Sequence, residues 1–556
     1  MLYGDWGTSK AYVLGIAFAL SGHASWFFLG LMSALTAIVG YCYTIICRLY
    51  PDGGGVYSSV KKRSQILAVV GSLLLVADYV ITASLSAIEA FHYFNFPRPE
   101  LWAIGSIFLI GCINWVGPAK GGNIAATIAI GASVAAGVLF ISTIPHLPKV
   151  ELTWPTGTFP QHWSVFVGIV LALSGVEAIA NMTGIMVEPV DKTSRKAILP
   201  VLLEVSVLTF LLGIAMNAIP NLTGHTEDML RALGNHYIGS WYGSVISIMF
   251  GFLLLSAVNT SIADLVSVQF LLARDKEIPS IFGKLNRYGM PTLPLIVATI
   301  IPIIVLIFEH DVVHLAALYA IGVVGAITLN IGSCATSKNL PIKPYERIIL
   351  YAAGIILLFI EITICIQKRN AFIFAATVLT VGLTLRFLAK KIAAQEPQPE
   401  LLESAINVLT VEEAREISAL YKSSVLVALR TLNSFALQEA SLRAQALHEN
   451  AIYVNYVDVA PPSFELPKEV APSRQSIELF EESQKEVEKY GITIVPVWQF
   501  GSDPGRMIAR AANDLDVNTV LIGSTRRSGL VNLLRGDVLK TLAKNLPRNC
   551  HLIISN

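Results

Sequence analysis

Asp78-Tyr79-Val80-Ile81-Thr82-Ala83-Ser84-Leu85-Ser86 lies inside an apolar run that reaches from Ile66 to Phe91. About 20 helical residues cross a hydrocarbon core of roughly 30 Å, so the run is long enough to span a membrane. Asp78, Thr82 and Ser86 are spaced i, i+4, i+8, which places a carboxylate and two hydroxyls on one helical face. A carboxylate at that depth costs about 2.5 to 3.5 kcal/mol even on the lenient scale, and such residues are usually functional.

Further runs of the same kind flank this one. They are centred near residues 12, 36, 108, 133, 172, 208, 256, 299, 323, 355 and 379, and with residue 78 they predict about twelve spans. The chain has 556 residues, of which 54% are hydrophobic and 14% charged, with a mean hydropathy of +0.61. That average is too apolar for an ordinary soluble protein. Arg48, Lys61, Lys62, Arg63, Arg195, Lys196, Arg274 and Lys276 fall in loops on one side, which the positive-inside rule makes cytoplasmic together with both termini. A net charge of +1 excludes a nucleic-acid partner, because no basic footprint is present. The six cysteines form neither a CxxC pair nor a Cys/His cluster, so neither zinc nor a disulfide framework is expected. The first apolar segment carries Asp5 and Lys10 and has no basic n-region, so it reads as the first span and not as a cleaved signal.

Two other spans carry carboxylates beside glycines. The first contains Tyr3-Gly4-Asp5-Trp6-Gly7-Thr8-Ser9, with Tyr12 seven residues after Asp5 on the same face. Its glycines make unwinding cheap, which frees backbone carbonyls. The sixth contains Ser174-Gly175-Val176-Glu177, with Asn181 seven residues after the serine, and the tenth adds Tyr319 followed by Gly322. All these groups offer oxygen, the ligand set of a hard cation, whereas a transition metal would call for imidazole or thiolate. A lone hydroxyl such as that of Thr82, Ser86 or Ser174 can bond a carbonyl four residues back at little cost, so the carboxylates carry the reading. Asp5, Asp78 and Glu177 lack an equal number of buried bases and call for a cation or protons. Lys10, five residues from Asp5, is expected to point away from the ion face and to snorkel or pair elsewhere.

Tyr3-Gly4-Asp5-x-Gly7-Thr8-Ser9 with Tyr12-Val13-Leu14 resembles the first-helix signature of the KUP (KUP/HAK/KT) potassium transporters, and Asp78-x-Val80-Ile81-Thr82-x-x-x-Ser86 resembles their third-helix signature. Pro51-Asp52-Gly53-Gly54-Gly55-Val56-Tyr57 and Gly175-Val176-Glu177-Ala178 look like the KimA-type branch and, more broadly, the amino acid-polyamine-organocation superfamily. The resemblance implies a five-plus-five inverted repeat of LeuT/APC type, a homodimer, and proton-coupled potassium uptake by alternating access. It implies potassium ligands at Asp5, Tyr12, Asp78, Thr82, Ser86, Ser174 and Tyr319, with Glu177 coupling protons; transport needs no cofactor, and no metal beyond the cargo ion is implied. Lys10 stands where many members have proline. Only four residues precede Asp5, where the family has a longer segment, and a late start of the sequence is the favoured reading. An amino acid permease of the same superfamily is the nearest rival, and a membrane-anchored nucleotide sensor is a third reading.

The chain divides by composition into a transmembrane domain (residues 1–391), a linker with an amphipathic helix (392–422) and an α/β domain (423–556). In the last, strands alternate with helices from Val425 onward, which implies a parallel sheet covered on both faces. Gly523-Ser524-Thr525-Arg526, nine further residues, then Gly536-Asp537 follow a predicted strand and open a helix, where a doubly wound fold places phosphates. The pattern resembles that of universal stress proteins, with Arg526 in place of a glycine and Asp537 in place of Ser/Thr. Asp537 would repel a phosphate and Arg526 would attract one. ATP, AMP or a cyclic dinucleotide, and a ligand-free dimerisation role, all stay open. No nucleophile, base and oxyanion-donor set can be assembled, so no catalytic residue is assigned.

Overall fold

The computed structural model describes residues 6–51, 53–116, 122–149, 152–183, 186, 188–286, 288–395, 406–417, 423–459, 472, 474–501, 503–523 and 537–555. Each of the twelve predicted centres falls in a helical segment. These are α1 (Ser9–Ser21), α2 (Ser25–Leu49), α3 (Gln65–Tyr93), α4 (Pro99–Val116), α5 (Gly122–Thr143), α6 (Phe159–Gly168) continuing into α7 (Val176–Asn181), and α8 (Val190–Ala215). They continue with α9 (Ser240–Arg274), α10 (Thr292–Phe308), α11 (Val312–Thr336), α12 (Pro344–Gln367) and α13 (Arg369–Gln395). By length and apolarity nine segments of the described residues qualify as spans, with α1 and α2 counted together, and α6–α7 makes a tenth if its bend is bridged. At 17 residues α10 is shorter than the usual span.

The third span is the hub. It packs along α9, α11, α4, α10 and α13, while α2 packs along α8. A helix surrounded on every side must be apolar all round, and α3 is buried from Leu73 to Phe91 apart from Val76. The outer helices behave differently. Leu101, Trp102, Phe108 and Leu109 of α4 and Ile355, Phe359, Ile362 and Ile366 of α12 are exposed. Apolar patches of that extent require a non-aqueous solvent around the bundle.

The side rich in lysine and arginine is tied by ion pairs between distant spans. Arg48 at the end of α2 makes a bidentate pair with Glu346 of α12 at 3.0 and 2.7 Å. Buried Glu277, just after α9, accepts from Arg386 and Lys390 of α13 at 2.5 and 2.7 Å, and from Gln65 at the start of α3.

The C-terminal domain has five parallel strands: β1 (Val425–Leu429), β2 (Ala451–Val459), β3 (Thr493–Gly501), β4 (Thr519–Gly523) and β5 (His551–Ser555). Their order is β3-β2-β1-β4-β5. Residues 406–417, read from sequence as linker and helix, lie on the sheet. Leu409 pairs with the outer edge of β3, donating to Pro496 O at 2.9 Å and accepting from Trp498 N at 2.8 Å. Thr410 then opens α14 (Val411–Glu416) in a capping box with Glu413.

Candidate ion site

The start of α1 is not regular helix. Trp6 is followed by a turn at Gly7-Thr8, Ser9 Oγ donates to Trp6 O at 2.9 Å, and the helix proper begins at Ser9. Tyr12 is buried one turn further on. Asp5 lies outside the described residues. Lys10 does not snorkel: it is 0% exposed and donates to Glu204 Oε1 of α8 at 2.5 Å. The sequence reading did not single out Glu204, which is 194 positions away.

Asp78, Thr82 and Ser86 are all buried on α3. Thr82 Oγ1 lies 3.0 Å from Asp78 O and 3.1 Å from Asp78 Oδ1, so one hydroxyl spans backbone and carboxylate. Gly322 of α11 is seated directly on Asp78. A β-carbon there would stand 2.7 Å from Asp78 N and 2.9 Å from both Asp78 Cα and Leu74 O. Backbone thus meets backbone, and Tyr319 is buried one turn earlier on α11.

The sixth span is broken where the glycine predicts it. After α6 a 3-10 turn runs over Val170–Leu173, Ser174 is extended, Gly175 adopts φ +87°, and α7 restarts at Val176. The two halves are bent by 47°. A left-handed φ costs glycine little, which allows the chain to turn here. Ser174 Oγ is buried and has no hydrogen-bond partner among the described residues. Glu177 turns back on the break, its Oε1 accepting from Gly175 N at 3.3 Å, and Asn181 donates to Tyr79 Oη of α3 at 2.9 Å. The 3-10 turn packs against α1, α2 and α11. The break in the sixth span therefore shares neighbours with the Asp78 face.

The glycine loop before α3 holds this assembly from the lysine-rich side. Gly54 N donates to Ala180 O at 3.0 Å and to Thr183 Oγ1 at 2.9 Å, while Asn330 of α11 donates to Gly54 O at 3.1 Å. Ser59 donates to the same asparagine at 2.8 Å. A β-carbon on Gly54 would crowd Ala180 O at 3.2 Å, which accounts for a glycine at this position.

Sequence reasoning passed over further buried carboxylates. Glu89 of α3 and Asp264 of α9 are buried, and Glu361 of α12 lies with one oxygen 3.1 Å from the position of a β-carbon on Gly325. Glu89 was legible in principle, since it lies eleven residues beyond Asp78 on the same helical face. Lys10 is the only lysine or arginine buried among the described residues. Negative groups therefore exceed positive ones inside the bundle.

In the C-terminal domain the strand order reverses between β1 and β4, where a doubly wound sheet opens a crevice. Gly523 ends β4 there, and Asn433 Nδ2 would lie 3.2 Å from a β-carbon on it. Ser524, Thr525, Arg526 and Gly536 lie outside the described residues. Asp537 caps the helix Val538–Asn545, its Oδ1 accepting from Leu539 N at 2.9 Å and Lys540 N at 3.2 Å. These are the donors an anion at that helix start would use.

Residues 3–385 match the family model described as Amino acid permease. The chain belongs to that family. Its C-terminal part, residues 424–553, matches the Universal stress protein family. Together with its many apolar helices, this makes it a multi-pass membrane protein with an APC-type helical domain and a parallel-sheet α/β domain. Among curated proteins, the potassium transporter KimA of Bacillus subtilis (strain 168) is 25% identical over 437 residues, spanning 70% of this chain and 69% of that protein. Among solved structures, the universal stress protein from Archaeoglobus fulgidus is 18% identical, covers 24% of this chain and 97% of its own, and gives a TM-score of 0.19.

Proposed function

We propose that this permease-family protein takes up potassium by proton-coupled symport. One observation supports the reading above the others: among the described residues several carboxylates are buried in the bundle against a single buried lysine, which is itself bonded to Glu204. Such an excess needs mobile positive charge. Asp78 and Thr82, together with Asp5, Tyr12, Ser86, Ser174 and Tyr319, would replace the hydration shell of one cation by oxygens alone. Glu177, folded back onto the Gly175 break, would carry the proton as the bent span moves. The break and the Gly54 ties suit a gate, because both join helices that must part for the site to open. The lysine-rich side is taken as cytoplasmic, the assembly as a homodimer, and the C-terminal domain as a regulatory or dimerisation unit. Asp537 holding its own helix start favours that role over phosphate binding.

An amino acid substrate fits less well, since its carboxylate would meet the buried carboxylate of Asp78. The test is uptake of radioactive rubidium into vesicles reconstituted with Asp78→Asn protein. Uptake is expected to vanish while the protein stays folded, whereas wild-type rates in the variant would refute the reading. Uptake of labelled amino acids, with no cation flux, would favour the rival.

A further inference from the structure

Glu89 is the most isolated carboxylate in the bundle. It is 0% exposed, and neither of its oxygens has a hydrogen-bond partner among the described residues. It continues the Asp78-Thr82-Ser86 stripe, three residues after Ser86, and eleven residues from Asp78 amount to about 16 Å along the helix axis. It therefore shares the Asp78 face but lies about three turns along it, toward the end of α3 remote from the lysine-rich loops.

Among the described residues no base bonds it. The charged groups that act on it are Glu227 and Asp228, from the segment before the short helix Met229–Tyr237, and both are carboxylates. Each has a partner of its own: Glu227 lies 2.7 Å from His92 Nδ1, and Asp228 lies 2.8 Å from His225 Nδ1 and 3.9 Å from Arg231. The remaining titratable neighbour is Tyr93, one turn along α3, whose hydroxyl donates to Ala11 O of α1 at 2.9 Å. The same segment lies against α1. Thr226 O lies 1.8 Å from where a β-carbon on Gly15 would stand, so the loop is pressed onto α1 at a glycine.

A buried carboxylate with no hydrogen bond among the described residues, and with nearby bases already held by other acids, is costly to leave without a positive partner. We propose that Glu89 is a proton-binding site on the outer access route, loaded when the Thr226–Gly15 contact opens and shielded from water when it closes. This rests on the proton-coupled transport proposed above. It adds a second proton-carrying position to Glu177, at the end of the bundle from which an inward-moving proton arrives.

The test uses the full-length protein, with Glu89→Gln as a neutral near-isostere. Infrared spectra of wild-type protein across a pH titration should show a protonated-carboxyl band that is missing in Glu89→Gln. In vesicles, Glu89→Gln should keep rubidium exchange down its own gradient. Its stimulation by an imposed inward proton gradient should fall by roughly ten-fold, within the usual range of linkage between two sites. An unchanged band together with an unchanged proton response overturns the proposal. So does a wild-type protein lacking any titrating buried carboxyl. Should Glu89→Gln fail to fold, Glu89→Asp decides: a retained band with a shifted midpoint supports the site, and an unshifted midpoint overturns it. A wild type that moves no rubidium, yet loses the band on Glu89→Gln substitution, would refute the cargo and leave the proton site standing.

Discussion

Replacing Gly322 by alanine should damage transport more than a single methyl group suggests. The new carbon would stand 2.7 Å from Asp78 N and 2.9 Å from Asp78 Cα and Leu74 O, all backbone atoms of a buried helix that no rotamer change can move. Contact becomes ordinary at 3.4 Å, so α3 and α11 must separate by about 0.7 Å at the level of Asp78. Overpacking of this kind costs about 1 to 3 kcal/mol. The larger effect is on geometry: displacing a positioned group by about 1 Å can cost roughly 100-fold in rate, so a fall of ten-fold or more in initial rubidium uptake is expected. Gly332 on the same helix supplies the control, because nothing lies within 4 Å of its β-carbon position. Alanine there should stabilise the helix slightly, by about 0.5 to 1 kcal/mol, and leave uptake unchanged. Gly325 falls between the two, since its β-carbon would meet the movable end of Leu74 at 2.8 Å and Glu361 at 3.1 Å. The measurements are uptake per reconstituted molecule and the unfolding midpoint in detergent. Wild-type apparent affinity and rate in Gly322→Ala would refute the idea that the α3–α11 contact sets the ion site.

Glu204→Leu removes the carboxylate that fully buried Lys10 bonds, and should cost about 3 to 5 kcal/mol, whereas the double variant Lys10→Met, Glu204→Leu should recover most of it; thermal unfolding of the four proteins measures the coupling. Burial pushes the Asp275 carboxyl up, but bonds from Lys61 at 2.5 Å and Tyr57 at 2.8 Å outweigh it and hold the group below the usual carboxylate range. Its folded value is then lower than its unfolded one, so the stabilisation is complete above the ordinary carboxylate range and is lost as pH falls through and below it. Asp275→Asn should therefore destabilise the protein near neutral pH and make little difference at about pH 2, as denaturation curves at the two pH values would show. In the C-terminal domain, Asp537→Ser keeps a residue that caps a helix start and removes the negative charge facing a phosphate. ATP affinity of the full-length protein should rise, and calorimetry showing no gain would remove the segment from the list of phosphate sites.

Much of the architecture was legible because the forces that place it are local. Apolar runs of spanning length predicted the helices, the spacing of Asp78 and Thr82 predicted one face, and Ser174-Gly175 predicted the break where Gly175 now turns the sixth span. Alternating strands and helices predicted the parallel sheet of the C-terminal domain. What escaped is non-local. No spacing rule links Lys10 to Glu204, and the Gly54 loop betrays its glycines but not Thr183 and Asn330, which hold it. The segment around Leu409 looked like linker because its composition is polar, yet its main-chain groups find partners on the free edge of β3. Asp537 is an intermediate case: its conflict with a phosphate was visible, but the two amides it caps are seen only in the structure.

Charge gives the bundle its logic. At the lysine-rich end, buried acids meet basic partners: Glu277 has Arg386 and Lys390, and Glu346 has Arg48. Deeper in, Glu204 has Lys10, and there the supply of buried bases among the described residues ends. Asp78, Glu89 and Glu177 lie beyond it on α3 and at the break in the sixth span. Buried acids in excess of buried bases are costly, so their number inside the bundle calls for a functional reason. Their retention is explained if the compensating charge arrives and leaves. An acid tied to one base works as a fixed strut, whereas an acid that exchanges its counter-charge can hold a potassium ion or a proton in turn. On this view, a permanent base beside Asp78 would convert the site from a carrier into a strut: Thr82→Lys, at the position whose hydroxyl lies 3.1 Å from Asp78 Oδ1, should lose rubidium uptake in a protein that still folds. A folded Thr82→Lys protein that still transported rubidium would show that the carboxylate there was never the ion's counter-charge.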